Sequence, residues 1–453
     1  MNSKILMCVC ALLPAACWGQ FWPGYETGRF SGTSSANVRP ASMAPNPYKI
    51  DATLGAVHLF AHPQRVFSRD AAAMIFTGGF RHLYDFSKLS SPNMLVISNL
   101  QGPSVLATVN PKTAIAFTWN MRFLWASRLS APGLSALFDT EAVQPDINES
   151  NARSRIFFSG WNEYCLGASA QIWKKTYHSL AIGGFVKIIT GTADMRMHLK
   201  NTSVQTSGSK VSQLNTDMEI TVSDQVISLV DDGRPNMTGH VGVGFDVGMA
   251  YRFENPRSCP GASNHRLKLG FSLTDIGFAR YTRARAYKGQ GALMSEIPLE
   301  AIRQTSLEQS LDTVAALLQV NSSATGEEYR LLLPMSLRVH SEVNLGKRLL
   351  VYGEFHFLFT QLTDPQMPLV FRFNLTPRFE DYQWGVYLPL TFTNYLPASA
   401  GLALRWKPFI IGSGNLFSFW AYPDRDRALD IFVAIKIPIV QDNERIDYRA
   451  WKR

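Results

Sequence analysis

Residues 241–253 read Val241-Gly242-Val243-Gly244-Phe245-Asp246-Val247-Gly248-Met249-Ala250-Tyr251-Arg252-Phe253. Every odd position is large and apolar, and every even position is Gly, Ala, Asp or Arg. Successive side chains of a strand point to opposite faces, so this segment has one greasy face and one small or charged face. An apolar face this long exceeds what a soluble strand of ~5–6 residues supplies. It suits a strand that crosses a bilayer, with lipid on one side and a wet lumen on the other.

The pattern recurs outward from this stretch. Ile115, Phe117, Trp119, Met121, Phe123 and Trp125 oppose Ala116, Thr118, Asn120, Arg122 and Leu124. Leu337, Val339, Val343 and Leu345 oppose Arg338, His340, Glu342 and Asn344. Leu369, Phe371, Phe373 and Leu375 oppose Val370, Arg372, Asn374 and Thr376. The same alternation runs through 383–392, 402–407 and 430–439. Weaker segments lie near 53–60, 163–173, 178–190, 217–230, 265–278, 349–360 and 416–422, which brings the total to about fourteen strands. The expected fold is therefore all-β, a transmembrane antiparallel β-barrel. A soluble sandwich or propeller also alternates. Against it stand the long apolar faces and the aromatic residues near strand ends (Trp125, Trp173, Tyr251, Tyr281, Tyr395, Trp406, Trp420, Tyr422), placed as an interfacial girdle would be.

The totals agree. The chain has 453 residues, 46% hydrophobic and 17% charged, with a mean hydropathy of −0.04. A barrel hides its apolar residues by alternation, so soluble-looking hydropathy is what it shows. No apolar run of ~20 residues follows the N-terminus, which excludes a helical membrane protein. The net charge of +9 is spread singly along the chain, without the basic cluster that nucleic-acid binding requires.

Lys4 followed by the apolar stretch Ile5 to Ala16 has the pattern of a secretory signal peptide, expected over residues 1–19. Residues 20–50 form an aperiodic arm, 51–440 the barrel, and 441–453 a basic tail. Within the barrel, Leu299, Ile302, Leu307, Leu311, Val314 and Leu318 recur at helical spacing, so a helical insert is expected at about 298–320. Cleavage after residue 19 leaves Cys165 and Cys259, which permits one disulfide but no disulfide scaffold; cleavage after Ala16, or lipidation at Cys17, is the competing reading.

Three features carry a resemblance: the Pro40-Ala41-Ser42 arm, the strand ending Leu273-Thr274-Asp275-Ile276-Gly277-Phe278 ahead of the helical insert, and Gly401-Leu402-Ala403-Leu404-Arg405-Trp406-Lys407-Pro408-Phe409 leading into Gly412-Ser413-Gly414-Asn415-Leu416. Their order resembles an uncharacterised group of Bacteroidota outer-membrane barrels. That group is similar in layout to the fatty-acid-transporter (FadL-like) superfamily and to barrels associated with type IX secretion. The resemblance implies a fourteen-stranded barrel with its N-terminal arm near the lumen, and no catalytic residue.

Chemistry is sparse. The chain after residue 19 has no Gly-x-Ser-x-Gly elbow, Walker loop, dinucleotide fingerprint, His-Glu-x-x-His or Cys-x-x-Cys motif. His58 and His62 lack the further ligands of a metal site. No cofactor, metal or catalytic residue is expected. Period two assigns Arg122, Asp246, Arg252, Arg338, His340, Glu342, Glu354, His356, Arg372, Arg405 and Lys407 to the lumen, with Arg266, Lys268, Arg378, Asp430 and Lys436 beside them. His340, Glu342, Glu354 and His356 would cluster if their strands are neighbours. This set is mostly basic, which favours anionic solutes unless its cations pair locally. Three function classes follow: a FadL-like channel for hydrophobic or anionic small molecules; a structural or secretion-associated barrel binding envelope proteins; and an outer-membrane hydrolase. Lipid of the outer membrane is the expected partner.

Overall fold

The computed structural model describes residues 23–62, 93–129, 148–207, 210–231, 240–254, 265–293, 296–298, 307–324, 326–346, 348–359, 370–394, 397–421 and 428–440. The expected signal peptide, the basic tail, Tyr395, Tyr422 and Cys259 lie outside them.

Fourteen barrel strands run in chain order, each antiparallel to the next. They are β1 (Tyr48–His62), β2 (Asn93–Gln101 and Ser104–Asn110), β3 (Thr113–Leu129), β4 (Asn148–Lys175), β5 (His178–Ser207), β6 (Lys210–Ser223 and Val241–Glu254) and β7 (His265–Ala292). Then come β8 (Asn321–Ala324, Glu328–Leu332 and Met335–Asn344), β9 (Leu349–Phe359), β10 (Val370–Glu380), β11 (Trp384–Tyr387 and Leu390–Thr393), β12 (Ser399–Ala400 and Leu402–Trp406), β13 (Phe409–Ser413) and β14 (Leu429–Val440). The last strand pairs with the first from Tyr48↔Val440 to Ala61↔Leu429. That ladder closes the barrel.

Alternation decides the two faces. Along β6, Val241, Val243, Phe245, Val247 and Met249 are 42–53% exposed, whereas Asp246, Ala250 and Arg252 are at most 5% exposed. The same split holds on β3 (Ile115 and Phe117 out, Thr118 and Arg122 in) and on β14 (Ile431, Val433, Ile435 and Ile437 out, Ala434 and Lys436 in). The outward apolar band is what lipid demands of a spanning barrel. Trp173 and Trp406 stand exposed near the short turns 176–177 and 407–408, at the end where β1 begins. Two residues expected in that girdle are elsewhere: Tyr281 is buried inside, bonded to Ser159, and Trp125 is covered.

Two expected strands end as helices. Residues 217–230 leave β6 at Ser223 and continue as α2 (Asp224–Asp231), with Asp224 in its first turn and Ser223 Oγ accepting from the Val226 amide. Within 416–422 the chain forms the short α4 (Ser418–Ala421). The expected insert is present as α3 (Leu307–Leu317). Helices α2 and α3 pack with Trp125, Phe158, Met195, Ile220, Val222 and Tyr287 into one apolar cluster. Trp125 and Phe158 lie on the strand faces that carry the exposed Phe117 and Leu166, so the helices cover the outer wall near the long-loop end.

The N-terminal arm is not a loose tail. Residues 23–47, with α1 (Thr33–Ala36) among them, are almost entirely buried and contact the inner wall on strands all around the barrel. Gly32 shows how closely: its φ is +49°, and a Cβ there would stand 1.9 Å from Asp51 Oδ2. Both the backbone and the contact require glycine. Gly32→Ala is expected to loosen this segment at a cost of ~1–3 kcal/mol, seen as faster proteolysis of residues 23–47 in an otherwise folded barrel.

Candidate functional site

The lumen is built in layers, which can be followed up the inward face of β3 through Thr118, Asn120, Arg122, Leu124 and Ala126. Lowest is the N-terminal segment, held largely through its main chain. The Arg29 amide donates to Glu380 at 3.1 Å and the Thr33 amide to Asp51 at 2.8 Å. Lys436 donates to the Ser31 carbonyl at 2.6 Å, Ser272 to that of Val38 at 2.8 Å, and Arg252 to that of Pro45 at 3.3 Å. Side chains add to this. Thr118 donates to Asn37 at 2.6 Å, the Thr33 and Thr53 hydroxyls lie 2.6 Å apart, and Glu26 faces Arg338 at 3.5 Å. Burial pushes the Glu26 carboxyl above its ordinary range, with Arg338 pulling it back down.

Above the segment lies a network of five buried charges. Arg122 contacts Glu163 at 2.8 Å and Asp275 at 3.1 Å. Lys187 contacts Asp275 at 2.6 Å, Asp246 at 2.8 Å and Glu163 at 3.7 Å. Asp275 adopts a φ of +62°, and its amide donates to Asp246 at 2.7 Å. That left-handed residue coincides with a bulge opposite β6, between Phe245 and Val247, and turns the Asp275 carboxylate inward. Higher still, an apolar layer of Leu124, Phe157, Trp161, Ile189, Tyr281, Leu331 and Leu358 fills the lumen toward the long-loop end.

The wall itself carries a seam. Among the described residues, β6 is interrupted after Ser223 and resumes at Val241, and residues 191–194 of β5 and 279–282 of β7 have no β6 partner. There β5 and β7 touch directly: a Cβ on Gly191 would lie 2.5 Å from the Arg280 carbonyl oxygen.

The structure distributes the expected lumen residues among separate groups. Arg122 and Asp246 join the five-charge network, and Arg252 sits against the N-terminal segment. Arg338 and Arg372 share Glu354 at 3.3 and 3.7 Å, and Glu354 also accepts from Tyr352. Arg405 is buried and donates to carbonyls of the turn at 381–384. Strands β8 and β9 are neighbours, with His340 opposite Glu354 and Arg338 opposite His356. Yet the four acid and imidazole side chains do not converge. Glu342 goes to His265 and to Arg378, the latter at 2.6 Å. His356 pairs with Ser336 at 2.6 Å, and His340 stacks on Tyr352. His58 pairs with Asp430 at 3.2 Å, and Cys165 is a buried free thiol.

Two positions differ from the expectation. Lys407 is half-buried in a turn over the Tyr382 ring, because the β12–β13 ladder ends at Trp406↔Phe409 and alternation stops there. Arg266 is exposed, because a bulge falls there: Phe253 pairs with Leu267 and Glu254 with His265, so Arg266 is the extra residue and His265 takes the inward place beside Lys268. The lumen's sign also changes. Glu26, Asp51, Glu163, Asp194, Asp275 and Glu380 are buried inside and balance most of the cations, to which the missed Lys187 adds one more. Lys187 was legible in principle, as the one charge between Val186 and Ile188.

Among solved structures, the chain is similar to the toluene transporter TodX of Pseudomonas putida, at 9% identity and a TM-score of 0.42, covering 91% of this chain and 95% of that one. It is also similar to the translocator domain of the autotransporter NalP from Neisseria meningitidis, at 6% identity and a TM-score of 0.33, covering 89% and 94%. A third likeness is a Pseudomonas aeruginosa FadL homologue, at 9% identity and a TM-score of 0.26, covering 94% and 95%. At such values none of them says what this chain carries. No curated protein matches it. Residues 40–414 match the family of unknown function DUF5723, and the chain belongs to that family.

Proposed function

We propose that the chain is an outer-membrane channel of FadL-like layout, closed in this state, for small hydrophobic or anionic solutes. The observation that carries this reading is the layered lumen: a stopper made from the chain's own N-terminal segment, a charged network above it, and an apolar layer toward the long loops. A separable stopper suits a bore that opens. The apolar layer suits a solute with greasy surface, and the charged network beneath it suits a polar or anionic end. The seam in β6 supports the same reading, because an apolar solute meets an interrupted hydrogen-bond ladder there. Placement in the outer membrane is supported by the outward apolar band and by the export signal expected at residues 1–19.

The hydrolase alternative rests on Ser336 and His356. Their hydrogen bond is the first half of a nucleophile–base arrangement, but the base needs a third group to orient it. The nearest carboxylate on that strand, Glu354, is taken up by Arg338, Arg372 and Tyr352. The channel reading therefore has the stronger support.

The test is solute uptake by proteoliposomes carrying the Thr33→Cys/Thr53→Cys pair, whose native hydroxyls lie 2.6 Å apart. Under reducing conditions the barrel is expected to admit a fluorescent long-chain fatty acid. Oxidation, which ties the segment to β1, is expected to stop it. Uptake indifferent to the cross-link means that solute does not pass the stopper. No uptake in either state removes the channel reading and leaves the partner-binding barrel.

A further inference from the structure

A half-enclosed cavity of about 40 Å³ lies between the N-terminal segment and the inner wall, on the side where β6, β7 and β8 meet. Arg29 and Arg39 of the segment line it, with Arg252, His265 and Lys268 of the wall. Its one carboxylate is Glu342, already bound by His265 and, at 2.6 Å, by Arg378. Lys268 is 7% exposed, and among the described residues it makes no hydrogen bond or ion pair. In the ladder it stands directly opposite Arg252 on one side and Glu342 on the other. Like charges facing each other across a ladder repel, and a buried cation without a partner is costly. The arrangement is short of one counter-charge, and the space for it is present.

We propose that this cavity binds a small oxyanion of the phosphate class, with Lys268 as its principal charge partner and Arg39 and Arg252 flanking it. The oxyanion sits at the joint between stopper and wall and ties the two together. The site stands whether or not the barrel passes solute, so its test is separate from the uptake experiment. Phosphate chemistry is favoured over a monoanion because several fixed cations converge on one enclosed volume, where a dianion with many acceptor oxygens gains more than chloride does.

Calorimetric titration of the folded, detergent-solubilised barrel tests this with inorganic phosphate and with glycerol 3-phosphate, at constant ionic strength made up with chloride. One saturable site is expected. Tighter binding of the organic phosphate assigns the site to a phosphorylated small molecule, and tighter binding of phosphate itself assigns it to the free ion. Lys268→Met is expected to weaken binding by about tenfold or more, the worth of one charge-assisted contact. Arg266→Gln, on the exposed face of the same strand, is expected to leave it unchanged. Should Lys268→Met not fold, Ser42→Asp places a carboxylate at the cavity wall and is expected to abolish phosphate binding in a folded barrel. Absence of saturable binding to the wild-type protein, or binding unchanged in Lys268→Met or in Ser42→Asp, overturns the proposal.

Discussion

Lys187→Met is expected to destabilise the barrel by ~3–5 kcal/mol, the range for breaking a buried ion network by removing one member. Lys187 is fully buried and lies within 4 Å of Asp275, Asp246 and Glu163. Without it, three carboxylates share the single guanidinium of Arg122, which already contacts two of them. The measurement is a urea titration of the compact unboiled band on a gel. Pairing the change with Asp246→Asn removes one of the stranded negatives and is expected to recover part of the loss. Asp275→Asn keeps a side chain that tolerates the left-handed backbone and tests the charge alone. A shift below ~1 kcal/mol for Lys187→Met would mean that the network is hydrated and screened, as exposed pairs are.

Removal of residues 23–47 is expected to turn a nearly silent barrel into a conducting one, with planar-bilayer conductance rising by on the order of tenfold. It stays below that of a water-filled lumen, because the apolar layer of Leu124, Phe157, Trp161 and Tyr281 remains above. The wall groups that hold the segment, among them Asp51, Glu380, Arg252 and Lys436, are charged or hydroxylic, so water can take over their hydrogen bonds once the segment is gone. The ladder from β1 round to β14 contains none of the removed residues. The truncated chain should therefore still show the heat-shifted band of a closed barrel. A truncated barrel that inserts and stays silent would place the block higher, in the apolar layer.

Much of this was legible from alternation, because lipid on one side and charge on the other leave a period-two record wherever a strand is regular. Strands β3, β6 and β10 read directly for that reason. The record fails where the strand is irregular. Asp275 at φ +62° and the register shift at Gly160/Trp161 each reset the parity, which hid Asp194 and Asp275 from the inward set. Segment 217–230 looked like strand because Val222, Val226, Ile227 and Val230 are β-formers, and tertiary packing overrode that propensity with α2. The near-neutral lumen was missed because its acids come from the N-terminal segment and from strands whose alternation is weak. The stopper left no periodic signal at all. Its order comes from the wall, and its Gly and Ser content resembles that of any loop.

A stopper gripped by its amides and carbonyls is recognised through atoms that every residue possesses. Drift among related chains should therefore spare the route the segment follows more than the letters that follow it. Gly24 at φ +82° and Gly32 at φ +49° are the exceptions, since their turns admit little else. Descendants of this barrel could reshape the stopper's surface while the wall beneath stays as it is.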